Sequence, residues 1–584
     1  MARLLISAAH KSSGKTTVSL GLCAAFTARG LRVQPFKKGP DFIDPIWLSQ
    51  AAGRDCLNLD PYLMSGDQVR SMFARYSLSA DLSLVEGNKG LYDGLSLDGS
   101  NSSAALAHLL DMPVVLVLDA RGMTRGIAPL ILGYQAFDPH IRIAGVILNQ
   151  LGGARHEAKL RAVIEHYTDV KVLGAIGHDP ELAVLERHLG LMPSHELAEP
   201  QQVVSAIASR ISAQVDLDHI QVVASTVSPF MADSQLLPPA GCVASAGHVK
   251  VRIGIAQDKS FGFYYPDDLQ AMERAGAEIV RFDTLTDPVL PDVDGLFIGG
   301  GFPEVFMSEL SANAGMRRSI RDAIDEGLPV YAECGGLMYL ARSLRWHGQE
   351  VEMVGALPAD VQMHERPVGR GYVTLTAGPD APWLAGVGQD LIRGHEFHYS
   401  SLVNLSPDIR FAYRVERGHG VDGARDGLVY RNVLASYTHL RSGAGSSWSE
   451  AFVAFVRSVM AGRRQPESPA VQPYLMVIGD EHVGVDPEGY LLSPEQWSEE
   501  FALARATHEQ LVLTDAHWEL IYFLRDYYQQ HQVQAQVRSM IKHFTGRWGA
   551  ERGSNHHLHA MFPMGGPQKQ GNRLAGLMKT KGEH

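Results

Sequence analysis

The sequence predicts an α/β protein. Two three-layer domains built on parallel sheets are followed by a small, mainly helical domain on the C-terminal side. Three observations lead there. Continuous runs of Leu, Ile and Val, such as Leu4-Leu5-Ile6, Val114 to Leu118 and Ile143 to Leu148, alternate with amphipathic stretches, as buried parallel strands alternate with crossover helices. The pattern restarts at Val251-Arg252-Ile253-Gly254-Ile255-Ala256, after a segment mixing Ser, Ala and Pro. Beyond Gly462-Arg463-Arg464-Gln465-Pro466-Glu467-Ser468-Pro469 the composition becomes helical and His-rich, without cysteine. A length of 584 residues suits three or four domains of roughly 100–200 residues each. The boundaries predicted are a first domain over 1–220, a linker over 221–249, a second domain over 250–463, a linker over 464–473 and a third domain over 474–584.

A formal charge of −12 argues against a nucleic-acid binder, which needs clustered Lys and Arg. The four cysteines, Cys23, Cys56, Cys242 and Cys334, show no pairing or metal-ligand spacing, so a reducing, cytoplasmic setting is expected. The first apolar run leads straight into a loop rather than a cleavage site. No stretch reaches the ~18–20 apolar residues of a membrane span.

The first domain opens with its most informative sentence. Leu4-Leu5-Ile6 leads into Ala8-Ala9-His10-Lys11-Ser12-Ser13-Gly14-Lys15-Thr16-Thr17, and an amphipathic stretch from Val18 to Arg29 follows. Strand, small-residue loop, Gly-Lys-Thr and helix make a phosphate-binding loop for ATP or GTP. Gly14 and its neighbours let backbone N–H groups approach phosphate, Lys15 neutralises charge, and Thr16 can hold Mg²⁺. The usual motif begins with glycine five residues before Gly14, where this chain has Ala9. Strands Arg32–Phe36 and Leu82–Val85 follow. Asp41 and Asp44 come just after the first of these and Glu86 after the second. In a parallel sheet such residues gather at the carboxyl edge, and Asp41 with Glu86 would complete a Mg²⁺ site. Asn149, after the fifth strand, is a candidate for reading the base.

The stretches Gln34 to Pro45, Glu86 to Gly94, Gly145 to Asn149 and Glu186 to Leu191 closely resemble the cobyrinic acid a,c-diamide synthase family. Its ATP-binding domain is similar to dethiobiotin synthetase. Members of that family use ATP to phosphorylate acetate side chains of a corrin-type tetrapyrrole, and ammonia displaces the phosphate. The resemblance implies Mg²⁺ on Asp41 and Glu86, and substrate contacts from Asp44 and Asp93. Lys89 stands where members often carry an uncharged residue, which implies a modified substrate pocket.

In the second domain, Leu328-Pro329-Val330-Tyr331-Ala332-Glu333-Cys334-Gly335-Gly336 brings a cysteine from a strand onto a tight turn before a helix. This is a nucleophile elbow, and the helix N-terminus is expected to lower the thiol pKa. A base must come from elsewhere: His395, His398 and His439 are the candidates. Gly299-Gly300-Gly301 after a strand offers backbone N–H groups for an oxyanion. The domain resembles the class I glutamine amidotransferase domains of the cobyrinate and cobyrate synthases. By that resemblance Cys334 attacks glutamine, His439 is its base, Gly300 and Gly301 lie by the oxyanion, and His395 and His398 are structural or substrate-side. Free ammonia is mostly ammonium at neutral pH, so releasing it inside the protein beside an activated carboxylate avoids that loss.

In the third domain, Thr514-Asp515-Ala516-His517-Trp518-Glu519 opens a capped helix, continued by Leu520 to Tyr528 with core-facing spacing. Asp486 to Trp497, His517 to Tyr528, and Phe562 through Leu577 resemble the DsrC/TusE family of small sulfur carriers, one branch of which docks on dissimilatory sulfite reductase. Carriers use cysteines on a C-terminal arm; here Asn572 and Glu583 occupy the expected places. Persulfide carriage needs a thiolate, so the resemblance implies a docking or regulatory module, with a sulfite-reductase-type protein as partner. His556, His557 and His559 read as a polar helix face rather than a metal site.

The sequence therefore points to a glutamine-hydrolysing carbon–nitrogen ligase that uses ATP and Mg²⁺ to amidate a tetrapyrrole carboxylate. Cobyrinate is the family-typical acceptor. Sirohaem, which family members linked to sulfur oxidation amidate, is the alternative raised by the third domain. A nucleotide-dependent switch or an adaptor fits less well, because neither needs Cys334 and His439. A homodimer is compatible with the sequence.

Overall fold

The computed structural model describes the whole chain except residues 180–185, 188–189, 198, 229, 231–249, 384–390, 443–447, 465–473, 479–480, 486–488, 492, 532 and 578–584. It forms two compact units, Met1–Ala461 and Gly462–His584.

The first unit begins with seven parallel strands: β1 (Ala2–Ala8), β2 (Val33–Lys38), β3 (Leu57–Leu59), β4 (Leu82–Glu86), β5 (Val114–Asp119), β6 (Ile143–Leu151) and β7 (Val172–Gly177). Their order across the sheet is β3-β2-β4-β1-β5-β6-β7. Successive residues point to opposite faces, so Leu4 and Ile6 enter one core with Val18, Leu22 and Phe26, while Leu5 enters the other with Phe36, Phe73 and Leu116. The continuous apolar runs are therefore explained by a sheet buried on both sides. Strands β3 and β7 escape the sequence reading. The first is three residues long, and the second, Val-Leu-Gly-Ala-Ile-Gly, is diluted by glycine and alanine. A helix over Leu217–Ser225 runs across residue 220, where the sequence reading places a boundary. The remaining 231–249 of the expected first linker lies outside the described residues, as does Cys242. Of the Glu186–Leu191 motif, Glu186–Arg187 pairs antiparallel with Gly190–Leu191, and His188 and Leu189 lie outside the described residues.

A second sheet of ten strands follows. Its first half is parallel and runs in the order Ala277–Phe282, Val251–Ala256, Gly295–Ile298, Val330–Glu333, Val433–Ser436. The other half is antiparallel, so the sheet is mixed where the sequence predicts a parallel one. Strands such as Gly369–Ala377 and Arg410–Arg417 are half exposed, the condition under which antiparallel pairing is stable. Its last strand, His439–Leu440, pairs with Ile392–His398 so that His439 lies opposite His395. Only Tyr437 and Thr438 separate it from Val433–Ser436, five places away in the sheet.

The two sheets meet within this unit. Tyr62 stacks on Tyr372 with ring centres 4.2 Å apart. The Tyr372 hydroxyl donates to both Asp60 carboxylate oxygens, at 3.1 and 3.0 Å. Arg441 is buried, donates to Asp267 at 3.1 Å and lies over Tyr265 at 4.8 Å.

The second unit is mainly helical, with a Tyr474–Ile478/Glu481–Val485 hairpin that the sequence reading does not anticipate. Helices Glu499–His508, Asp515–His531, Val537–Trp548 and Asn555–Met561 enclose Leu520, Ile521, Leu524, Phe544 and Phe562. At the start of the Asp515–His531 helix the His517 ring accepts from the Thr514 N–H at 3.1 Å and meets the Thr514 hydroxyl at 2.7 Å. The segment through Leu577 is packed down. Asn572 is buried and donates to the Gln568 carbonyl at 2.6 Å. Glu509 receives Arg505 at 2.8 Å, Arg573 at 3.0 Å and Gln570 at 2.8 Å. Removing one member of a buried ion pair costs about 3–5 kcal/mol. We expect Glu509→Ala to lower the stability of this unit by that amount, seen as faster hydrogen exchange over residues 564–577. Unchanged exchange there would show that Glu509 does not hold the segment. Glu583 and Asp486 lie outside the described residues.

Candidate active site

Strand β1 ends at Ala8 and the phosphate loop begins. Ser12 and Gly14 are its left-handed residues, at φ 62° and 88°, whereas Ala9 is not left-handed. The departure at position 9 therefore carries no backbone strain, since only positive φ demands glycine. Gly14 is needed for a second reason: a Cβ there would lie 2.1 Å from the Asn149 amide nitrogen. Asn149 braces the loop by donating to the Ser13 carbonyl at 3.0 Å, a role the sequence reading does not assign it. Helix α1 (Lys15–Ala28) starts immediately afterwards, so Lys15, Thr16 and the half-buried Thr17 form its first turn. Burial holds the Lys15 ammonium below its ordinary pKa, partly offset by Glu86.

The predicted acids converge on this turn. Thr16 donates to Glu86 at 2.8 Å and reaches Asp44 at 3.3 Å. Lys37, which the sequence reading passes over, stands among the carboxylates. It is paired with Asp44, lies 2.9 Å from Glu86 and lies 3.8 Å from Asp41. Three carboxylates thus share one buried ammonium, whose pKa they raise despite the opposing effect of burial. Burial, then Asp44, pushes the Asp41 carboxyl up to about 7. Glu86 is fully buried and its Oε2 has no hydrogen-bond partner. A buried, unsatisfied carboxylate oxygen beside a threonine hydroxyl is the donor set a hard divalent cation takes. Asp93 is set apart from this cluster: it is exposed and accepts from the Gly90 N–H at 2.9 Å, shaping the loop at Lys89. Lys37 is one of the last two residues of β2, whose carboxyl edge also carries Asp41 and Asp44, but only its burial separates it from an ordinary surface lysine.

The second constellation lies in the ten-stranded sheet. Cys334, which is buried, leaves the Val330–Glu333 strand at φ 48° and starts the Gly335–Leu340 helix, the strained strand-to-helix geometry of a nucleophile elbow. Glu333, just before it, accepts from the Tyr331 hydroxyl at 2.7 Å and the Leu440 N–H at 2.9 Å. Its other oxygen lies 3.2 Å from His439 Nδ1. That bond orients the His439 ring, which lines the same cavity as Cys334; the sequence reading does not give Glu333 this contact. Asp426 accepts from the Tyr437 and Thr438 N–H groups, both at 3.0 Å, and so holds the two residues that lead to His439. Gly300 leaves room for the imidazole, since a Cβ there would stand 2.5 Å from His439 Cε1. The Gly301 nitrogen lies 3.0 Å from where a Cβ of Gly335 would be, which puts both glycines beside the elbow.

One expectation is corrected. Burial, followed by Glu304, pushes the Cys334 thiol above its ordinary value, and the Gly335 N–H offsets this only in part. The helix is a single short turn and a half, and desolvation exceeds what its N-terminus supplies. We expect Glu333→Gln, which weakens control of the His439 tautomer, to cut glutamate release about 10²–10⁴-fold while ammonia-supported synthesis stays intact. Equal loss of both would assign Glu333 to folding instead.

Of the other histidines, His395 stacks on His439 at 4.9 Å, and burial keeps it neutral. His398 stacks on Tyr437 at 3.8 Å and meets the Ser400 carbonyl at 2.8 Å. Cys334, His439 and Gly301 line a cavity of about 180 Å³, and Asp41 and Phe42 from the turn after β2 line it too. Among the described residues, no group of three or more His, Cys, Asp or Glu side chains is arranged to hold a metal by itself, and the carboxylates at Asp41, Asp44 and Glu86 are paired with Lys37. No described helix is long and apolar enough to cross a membrane.

Residues 5–191 match the CobQ/CobB/MinD/ParA nucleotide binding domain, and 252–445 match the CobB/CobQ-like glutamine amidotransferase domain. Residues 477–582 match the DsrC like protein family. The cobyrinate a,c-diamide synthase of Magnetococcus marinus is 45% identical over 455 residues, covering 78% of this chain and 97% of that protein. Its counterpart from Methanosarcina acetivorans is 44% identical over 463 residues, covering 75% and 92%. The solved structure of Allochromatium vinosum DsrC is 34% identical, covers 19% of this chain and 97% of that one, and superposes with a TM-score of 0.18. A nucleotide-binding domain and a glutaminase domain thus stand in one unit, with a DsrC-like domain after them, and the chain belongs to the cobyrinate a,c-diamide synthase family of glutamine-hydrolysing carbon–nitrogen ligases.

Proposed function

We propose that this chain uses ATP and glutamine to convert the a and c acetate carboxylates of a tetrapyrrole into amides through an acyl phosphate, with cobyrinate as acceptor. The observation that carries this reading is the Pro40–Ile43 turn. Its Asp41 lies within 3.8 Å of Lys37 in the carboxylate cluster, and the same turn lines the Cys334–His439 cavity. A phosphorylating site and an ammonia-releasing site therefore share one wall.

Glutamine enters the cavity, Cys334 attacks its amide carbon, and His439 takes the thiol proton and hands it to the departing nitrogen. Gly300 and Gly301 supply the backbone at the oxyanion. At the other site the phosphate loop from Gly14 to Thr17 cradles the triphosphate, and Lys15 balances its charge. Asn149, braced on that loop, is the base contact. Thr16, Asp41 and Glu86 would hold Mg²⁺, which when bound screens the phosphate charge. Lys37, buried among these acids, is placed to counter charge on the transferring phosphoryl group. Asp44 and Asp93 face the acceptor. Lys38, the residue after Lys37 in β2, is buried, which lowers its pKa to about 8, and donates to Asn101 at 3.3 Å.

Sirohaem is the second reading, favoured by the DsrC-like match over 477–582. In this reading that domain, with Asn572 in place of a thiol, docks the enzyme on a sulfite-reductase-type protein. Purified protein offered cobyrinate and sirohaem in parallel, with ATP, Mg²⁺ and glutamine, decides between them by product mass. Amidation of neither would overturn the proposal.

A further inference from the structure

Phe42 belongs to the nucleotide-binding domain, yet its ring is enclosed by the glutaminase. It stacks on Phe263 at 5.4 Å with an interplanar angle of 2°. It lies 4.7 Å from Tyr265, 5.4 Å from His395 and 5.1 Å from His439 between ring centres. Phe263 is itself paired with Gly300 in the two-stranded ladder next to the elbow. One phenyl ring therefore touches the base and the residue opposite the oxyanion glycine, while the residue before it, Asp41, belongs to the carboxylate cluster. The ring is 8% exposed and lines the cavity beside Cys334. Between the cavity and the carboxylates the wall is a single turn of chain, Pro40–Ile43.

We propose that Phe42 is the seal and positioning residue between the two sites. It closes the glutamine cavity to bulk solvent on the side of the 40–43 turn, leaving the water that hydrolyses the thioester to enter with glutamine's own access, and holds the His439 ring, so that ammonia leaves past that turn toward the phosphorylated carboxylate. The inference rests on the amide-synthase reading. Attack of Cys334 Sγ forms a C–S bond and breaks the C–N bond of glutamine. The nitrogen leaves as NH₃ with the proton that His439 carried, and water then cleaves the thioester to glutamate and thiol. Ammonia attacks the acyl-phosphate carbon, a C–N bond forms, the C–O bond to phosphate breaks, and phosphate and a proton are released. Ammonia that reached bulk water would be protonated and lost to this step, which is why a seal matters.

The test compares full-length wild type, Phe42→Ala and Phe42→Tyr. The first readout needs no acceptor: alkylation of Cys334 by iodoacetamide, followed by peptide mass spectrometry. Opening the cavity should speed it about tenfold in the alanine variant, because reactivity follows access to the thiol, and leave the tyrosine variant near wild type. An unchanged rate in Phe42→Ala overturns the seal. The second readout is glutamate formed per amide made, with cobyrinate, ATP, Mg²⁺ and glutamine. The ratio should rise from near one to about five in Phe42→Ala, as the gain from delivering one reactant directly to the other is lost, with the rate on ammonium chloride unchanged and Phe42→Tyr restoring coupling. A ratio that stays near one, or equal loss with both nitrogen sources, also overturns it. Wild type that makes no amide from cobyrinate and ammonium chloride sinks the acceptor reading alone, and the alkylation rates still decide the role of Phe42.

Discussion

Cys334→Ala is expected to end amide formation from glutamine while leaving amide formation from concentrated ammonium salt in place. The expected loss is roughly 10⁴-fold or more, the scale seen when the nucleophile of a hydrolase triad is removed. Two features make the variant clean. Cys334 sits at φ 48°, and alanine tolerates that angle no worse than cysteine does, so folding should change little. The Glu333–His439 pair and the Asp426 clamp do not touch the removed sulfur. The measurement is the initial rate of amide production with each nitrogen source. If both rates collapse together, the cysteine is structural and the glutaminase assignment fails.

Lys15→Ala is expected to produce the complementary pattern. Lys15 is the first residue of α1, 8% exposed, and coupled electrostatically to Glu86, Lys37 and Asp44. Without its ammonium the phosphate cradle loses a charge-assisted contact in a dry site, where a single electrostatic donor accounts for roughly 10²–10³ in rate. Amide formation should fall by at least that factor from glutamine and from ammonium alike, whereas glutamate release continues. Amidation that persists from either source would place the ATP site elsewhere. Together the two variants separate the sites: one loses a nitrogen source, the other loses the activated carboxylate.

Much of this arrangement was legible in the chain itself. Residues that are adjacent in sequence and local in chemistry read well: the phosphate loop, the acids at the ends of β2 and β4, and the Cys334 elbow. What was not legible depends on contacts between distant segments. Glu333 becomes the partner of His439 only because the chain leaves the sheet at Ser436 and returns as its far edge at His439. Nothing in the spacing of 333 and 439 announces that. The raised thiol of Cys334 was missed for a similar reason, since burial comes from packing and outweighs the local dipole of a six-residue helix. Lys37 was overlooked because one lysine beside two acids reads as surface charge until the sheet buries it. Phe42 carried no chemical signal; only its burial among Phe263, Tyr265 and two histidines singles it out.

Asn572 has a consequence for how this chain responds to its surroundings. Its amide occupies a buried place by hydrogen-bonding the Gln568 carbonyl, and no cysteine follows Cys334 in the sequence. The DsrC-like domain therefore has no thiol to oxidise, glutathionylate or persulfidate. Its own surface is therefore insensitive to the thiol redox poise of its surroundings. An oxidant or alkylating agent acting on this protein through Cys334 would silence nitrogen supply from glutamine and leave the C-terminal surface unchanged. The two units thus carry different sensitivities to oxidative stress, though they share one polypeptide.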